Sequence, residues 1–292
     1  MVDPTELALT PLHERSIQAI LCDFEDTLVD FVRPGPLLAN EGAQAAAQVL
    51  RTAGLELPDD FAGQWLKALA FAATKSAQEQ EEHTADDTLA FLVQFYGYRE
   101  VDRKLVLQAV DAHFAPAVAA VRALPGAAAA TQALHAAGFR LGIVANSNCD
   151  RSVQRMVRQL GWRTRFDIVL TSQTAQLRKP QAQLYTMALQ AWDIDPYLAV
   201  AIGDRLDEDI GPAQELGMRA VLFRARPDST QARAVLQVRP DGEIATWDAL
   251  WPLLMDWLAG DAQVADDFWG GVGPLEPPLL PADFDPDTPA ST

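Results

Sequence analysis

Two rhythms of apolar and polar positions divide the chain. Over residues 33–124 apolar side chains recur at helical spacing, through EGAQAAAQVLRTAG, closed by Gly54, and DDFAGQWLKALAFAATKSAQ. The pattern resumes in TADDTLAFLVQFYGY, where Thr84 and Asp87 form a capping-box pair, and in DRKLVLQAVDAHFAPAVAAV. No strand is expected there. Before this block, residues 17–22 read as one short buried strand, followed by a polar, proline-containing link. After Pro125 and Gly126 the rhythm alternates. The helix AAAATQALHAAG precedes the strand RLGIVAN, RSVQRMVRQLG precedes FDIVLTS, AQLYTMALQAW precedes LAVAIGD, and IGPAQELG precedes RAVLF. IATWDALWPLLMDWLAG reads as a last apolar helix.

Strands separated by helices of this length specify right-handed crossovers and a parallel sheet. Near-continuous apolar runs such as LGIVA and LAVAIG suit strands covered on both faces. The expected class is therefore α/β, a Rossmann-like doubly wound parallel sheet with an inserted all-helical cap. Residues 1–32 and 125–260 form the core in this reading, 33–124 the cap, and 261–292 an acidic, proline-rich tail without order of its own.

Composition narrows the function. The formal net charge of −17 argues against nucleic acid and anionic membrane surfaces, which require a basic footprint. No apolar stretch approaches the about 20 residues of a membrane span, and MVDPTELALTPLHERS has no signal-peptide pattern. Cys22 and Cys149 are the only cysteines, lack a C-x-x-C spacing, and suit a reducing compartment, so a cytoplasmic location is expected. The four histidines share no ligand spacing, and GGVGP near the C-terminus lacks the strand and helix of a nucleotide loop.

The chemistry-bearing residues gather where strands end. DFEDT follows the first strand, ANSN the next, GDRLDED a later one, and LRKP lies in the loop before the last of these. Open parallel sheets bind ligands at those carboxyl ends, so Asp23, Asp204 and Asp209 can converge although far apart in sequence. Hard oxygen ligands with room for water and substrate suit magnesium, Mg2+. Lys179 is one of only four lysines in a chain that otherwise uses arginine, and the two are not interchangeable where a compact ammonium must fit.

Read in order, Asp23-Phe24-Glu25-Asp26-Thr27-Leu28, Ile143-Val144-Ala145-Asn146, Lys179-Pro180 and Gly203-Asp204 to Asp209 resemble the four motifs of haloacid dehalogenase (HAD) superfamily hydrolases. The position of the helical block matches the branch whose cap follows the first motif. The resemblance implies a phosphatase in which Asp23 attacks phosphorus and forms an aspartyl-phosphate. It implies that Glu25 protonates the leaving group, then activates water, and lends its backbone carbonyl to the metal. Lys179 would neutralise nucleophile and phosphate, Ala145 and Asn146 would flank the phosphate, and Asp204 and Asp209 would complete the metal site. The partner implied is a small phosphorylated metabolite.

Two positions depart from the family pattern. Glu25 stands where the phosphatases carry Asp, moving the acid by about one carbon–carbon bond, ~1.5 Å. Ala145 stands where a Ser or Thr hydroxyl binds phosphate, a hydrogen bond worth roughly 1.5–3 kcal/mol; Ser147, two positions on, is a candidate substitute. Two other readings therefore stand beside the phosphatase. One is a low-turnover HAD-fold protein that binds a phosphorylated ligand or partner. The other is a 2-haloacid dehalogenase using the same aspartyl ester without metal. Asp207 and Glu208 are read as a solvated loop ahead of metal ligands, and Arg205 as either a contact to substrate phosphate or a residue at the mouth of the site.

Overall fold

A computed structural model describes residues 11–224 and 238–269, with the side chains of 262–269 excepted. The expected lack of order over residues 270–292, and the GGVGP segment, fall outside the described residues.

The core is a six-stranded sheet in which every pairing is parallel. Its strands are β1 (Ala19–Cys22), β4 (Arg140–Ala145), β5 (Ile168–Thr171), β6 (Ala199–Gly203), β7 (Arg219–Phe223) and β8 (Gly242–Ile244), in the spatial order β5-β4-β1-β6-β7-β8. The chain runs outward from β1 through β4 to β5, then returns to the other side of β1 at β6. The order therefore reverses at β1, which opens a crevice at its carboxyl end. All four residues of β1 are buried, as a strand with neighbours on both sides and helices on both faces requires.

The cap contains α1 (Gly35–Thr52), α2 (Phe61–Glu79), α3 (Ala85–Phe95) and α4 (Arg103–Ala120). Thr84 caps α3 as expected, its Oγ1 accepting from Asp87 N at 3.1 Å. α1 and α4 touch at Gly42, where a Cβ would lie 1.9 Å from the His113 carbonyl oxygen. Only glycine allows the two backbones that approach. A cluster including Leu50, Phe61, Trp65, Leu89, Val93 and Val110 fills the cap, and it also buries Cys149 from the core.

The expectation of no strand in 33–124 is corrected at its border. β2 (Val29–Phe31) and β3 (Val121–Ala123) pair antiparallel where the chain leaves for the cap and returns. Three residues are too few to show a period of two, so both were absorbed into the adjoining link and helix. Likewise the segment before the last helix holds β8 and a 3-10 turn, Trp247–Ala249.

The remaining core helices are α5 (Ala127–Ala136), α6 (Asp150–Gln159), α7 (Ser172–Ala175), α8 (Gln183–Gln190), α9 (Gly211–Glu215) and α10 (Leu250–Trp269). α10 continues past residue 260, where the tail was expected to begin. Arg219 Nη2 donates to Asp261 Oδ1 at 2.5 Å, and the same guanidinium stacks on Trp257, 5.3 Å from its ring centre. Among the described residues no helix is long and apolar enough to cross a membrane.

Cap and core are tied by charge. Arg151 on α6 forks onto Asp86 at 2.8 and 2.7 Å and reaches Asp111 at 2.7 Å, and Arg155 also pairs with Asp111. Planar bidentate pairs of this kind are the stronger ion pairs.

His113, at the α1–α4 contact, is 6% exposed. Burial, partly offset by a hydrogen bond with the Gly42 backbone, holds its imidazole down to about 4. The unfolded chain, titrating near 6.5, then binds more protons than the folded one. Stability from this group is complete above pH 6.5 and is lost as pH falls toward 4, by about 3 kcal/mol in all. Urea unfolding of the parent and His113→Gln across that window should show a steeper pH dependence in the parent.

Candidate active site

Asp23 directly follows β1. Its N–H donates to Ile202 O at 2.8 Å, so the pairing with β6 continues one residue beyond the strand and fixes the carboxylate at the carboxyl edge. Phe24 then turns back into the core, and Asp26 adopts φ +60°, a conformation that Asp tolerates better than most residues. Leu28 and Val29 N–H both reach Phe24 O, at 2.9 and 3.0 Å, closing the turn. Glu25, between them, lines the cleft beneath the cap.

Beyond β6 the chain makes a single wide π-type turn, Leu206–Ile210, a form frequent at functional sites. It folds Asp209 back under Gly203, where a Cβ would stand 2.4 Å from the Asp209 carboxylate oxygen Oδ2. Gly203 is thus needed to admit the acid. Asp209 Oδ2 accepts from Arg205 N at 3.0 Å.

Lys179 joins the two halves. Its Nζ donates to Asp23 Oδ1 at 2.5 Å and to Asp209 Oδ1 at 2.6 Å, with its side chain 2% exposed. Asn146, at the end of β4, clasps the lysine's backbone: Lys179 N donates to Asn146 Oδ1 at 2.8 Å, and Asn146 Nδ2 donates to Lys179 O at 3.0 Å. Asn146 Nδ2 also donates to Glu208 Oε2 at 3.0 Å. Asn146 therefore positions Lys179, a task its sequence context did not reveal.

Asp23, Asp204 and Asp209 offer carboxylate oxygens within 4.8 Å of one another. Three carboxylates face the one Lys179 ammonium, an excess of two negative charges when all three are ionised. The titration behaviour reflects that excess. Burial first, then the charges of Asp23, Asp209 and Asp26, push Asp204 up to about 7. Asp209 is pushed up to about 6, chiefly by burial, although Lys179 pulls the other way. Burial disfavours the Lys179 ammonium, but Asp209 and Asp23 outweigh it and hold its pKa well above the ordinary lysine value. Of this coupled pair, the lysine's direction governs, because carboxylates outnumber it: Lys179 stays charged. A hard divalent cation matches both the oxygen donors and the missing charge, so these residues fit magnesium.

Glu25 is open to the cleft, yet it lies between core and cap. That enclosure, then Asp23 and Asp26, pushes its carboxyl up to about 7. The remaining expected residues divide. Ala145 ends β4, 3% exposed, and brings no hydroxyl. Ser147 does not replace it. Its Oγ donates to Cys149 O and accepts from Cys149 N, both at 3.3 Å, within the turn that starts α6. Asp207 pairs with Arg205 at 2.8 Å, away from the acidic trio.

The cleft of about 360 Å³ between cap and core is walled by Phe31, Leu38, Phe114, Ala117 and Met156, with Glu25, Asn146, Glu82 and Arg178 as polar members. A larger groove of about 640 Å³ on the cap carries exposed Phe71, Phe91 and Phe95 but neither Glu25, two residues after Asp23, nor Asn146, which binds the Lys179 backbone; both of these line the smaller one. Glu82 had no sequence signal. It sits in the acidic turn EQEEH among look-alike neighbours, and its side chain is 3% exposed.

The whole is a capped α/β sheet with a lysine held between a strand-end aspartate and a second acidic loop. The sequence model of the haloacid dehalogenase-like hydrolases matches residues 17–217, and the chain belongs to that family. It is 29% identical over 208 residues to a glyceraldehyde 3-phosphate phosphatase of Pyrococcus abyssi, covering 71% of this chain and 82% of that one. It is 33% identical over 99 residues to haloacid dehalogenase-like hydrolase domain-containing protein 3 of Mus musculus, 34% of this chain and 39% of the other. Its fold is similar to that of a 2-haloacid dehalogenase from Pseudomonas syringae (TM-score 0.60, 22% identity, 82% of this chain and 99% of that one). It is also similar to a HAD phosphatase from Thermococcus onnurineus (TM-score 0.54, 20% identity, 82% and 98%). At these identities the structural likeness speaks for the fold alone.

Proposed function

We propose that the protein is a magnesium-dependent phosphomonoester hydrolase of small phosphorylated metabolites, working through an aspartyl-phosphate on Asp23. The observation that carries this reading is Lys179 Nζ bridging Asp23 Oδ1 and Asp209 Oδ1 beside the acidic trio. The phosphatase name of the relatives that share most of this chain supports it.

Asp23 attacks phosphorus as the bond to the leaving oxygen breaks, and Glu25 delivers its proton to that oxygen. Glu25 then takes a proton from water, whose oxygen attacks phosphorus and breaks the bond to Asp23, releasing inorganic phosphate. A group titrating near 7 suits both proton transfers close to neutral pH. Lys179 stabilises charge on the transferring group, while Asn146 keeps the lysine in place. Asp23, Asp204 and Asp209 would hold Mg2+, which supplies charge neutralisation and orientation of the phosphate. The dehalogenase reading is disfavoured, since it requires neither the acid at position 25 nor the full acidic set. The buried free cysteines suit a reducing compartment, which supports a cytoplasmic site of action.

The binding-protein reading rests on Glu25 and Ala145, and restoring the family pattern tests it. Glu25→Asp withdraws the acid toward its own backbone, to where the leaving oxygen is expected, and correct placement is worth about 10²–10⁴-fold. Ala145→Ser adds one donor to the phosphate. The double variant should exceed the parent by about tenfold or more on an aryl phosphate, less than the product of the two because both act on one group. If parent and double variant both fail to release phosphate while binding inorganic phosphate, the binding reading replaces this one.

A further inference from the structure

Glu25, two residues after Asp23, lines the cleft, so the leaving group of a phosphate bound at Asp23 would extend into it. Apart from Glu25, the charged side chains that line this cleft among the described residues are Glu82 from the cap and Arg178 from the core. His113 also lines it but is neutral at pH 7, its imidazole held down to about 4 by burial.

Glu82 Oε2 accepts from Ser172 Oγ at 2.6 Å and from Arg178 Nη1 at 3.2 Å, and both side chains are largely buried, 3% and 14% exposed. Arg178 Nε is buried with no acceptor, so Glu82 is the anionic partner that offsets this guanidinium. The pair is neutral as a unit. It offers a hydroxyl both an acceptor and donors, but it offers an incoming carboxylate no uncompensated positive charge. Glu82 repels such a group, and like charges brought together across a desolvated contact are strongly unfavourable.

We infer that the Glu82–Arg178 pair is the specificity element of the cleft: it accepts neutral, hydroxylated leaving groups and rejects those bearing a carboxylate. This rests on the phosphatase reading and deepens it. Discrimination of this sort comes from a repulsive element as much as from an attractive one. Glu82 acts by cancelling Arg178 in substrate binding, so its removal should change preference between substrates and not simply lower activity.

The test compares kcat/KM for glyceraldehyde 3-phosphate and glycerol 3-phosphate with that for 2-phosphoglycolate, in the parent, Glu82→Gln and Ser172→Ala. The parent should favour the neutral leaving groups by about tenfold or more. Glu82→Gln frees the Arg178 charge and should shift the ratio toward 2-phosphoglycolate by about tenfold, with the gain in KM. Ser172→Ala removes a hydrogen bond to Glu82 but no charge, and should leave the ratio within about twofold. A parent that hydrolyses 2-phosphoglycolate as well as the neutral esters overturns the inference, whether or not Glu82→Gln folds. So does a folded Glu82→Gln with an unchanged ratio, or a Ser172→Ala that shifts it equally. A parent that turns over no phosphate ester overturns the phosphatase reading, and this inference falls with it. Activity on all of the esters without discrimination overturns this inference alone.

Discussion

Asp23→Asn should lower phosphate release by roughly 10⁴-fold or more while the protein stays folded. The amide is nearly isosteric with the carboxylate but carries no negative charge with which to attack phosphorus, and removal of a nucleophile typically costs that much. Stability should move little, and upward if at all. The substitution turns the Asp23 Oδ1 ion pair with Lys179 at 2.5 Å into a hydrogen bond to a neutral oxygen, while Lys179 keeps Asp209 at 2.6 Å. It also removes one of the three carboxylates crowded within 4.8 Å. That eases the repulsion which, after burial, helps push Asp204 up to about 7. Thermal unfolding of both proteins in chelator checks this. A variant with near-parental turnover would remove Asp23 from the mechanism, and a variant with a markedly lower Tm would mean its role is structural.

Much of this site was readable before the fold was known, for a physical reason. A buried parallel strand needs an unbroken apolar run, so the first polar residue after AILC or LAVAIG marks the carboxyl end of a strand, where Asp23 and Asp204 indeed stand. The long cap helices declared themselves by periodicity and, at Thr84, by a cap that the structure contains. What escaped notice lacked such a signal. The stem strands Val29–Phe31 and Val121–Ala123 are three residues each, too short for alternation, and tertiary pairing alone makes them strands. The extension of the last helix to Trp269 was masked by the acidic residues DAQVADD, which read as tail. Asn146 is expected beside the phosphate, and its hydrogen bonds to the Lys179 backbone, between residues 33 apart in sequence, and to Glu208 add a positioning role that no local pattern specifies. Glu82 differs from Glu81 only in facing inward, and no local pattern specifies that.

Metal removal carries the second large effect. Asp23, Asp204 and Asp209 present hard oxygen donors, and Lys179 offsets only one of their three charges. A phosphate group entering this site would add negative charge beside these carboxylates, so the proposed reaction calls for a divalent cation. The loss in chelator should therefore exceed about 10³-fold, the scale of losing several kcal/mol of charge stabilisation in the transition state. Restoring Mg2+ should recover activity fully. The decisive measurement is phosphate release by the purified full chain over a panel of small phosphate esters, with Mg2+ and with excess chelator, alongside Asp23→Asn. The account predicts release from at least one ester that requires both Mg2+ and Asp23. Hydrolysis that persists unchanged in chelator, or in the Asp23→Asn protein, would contradict it.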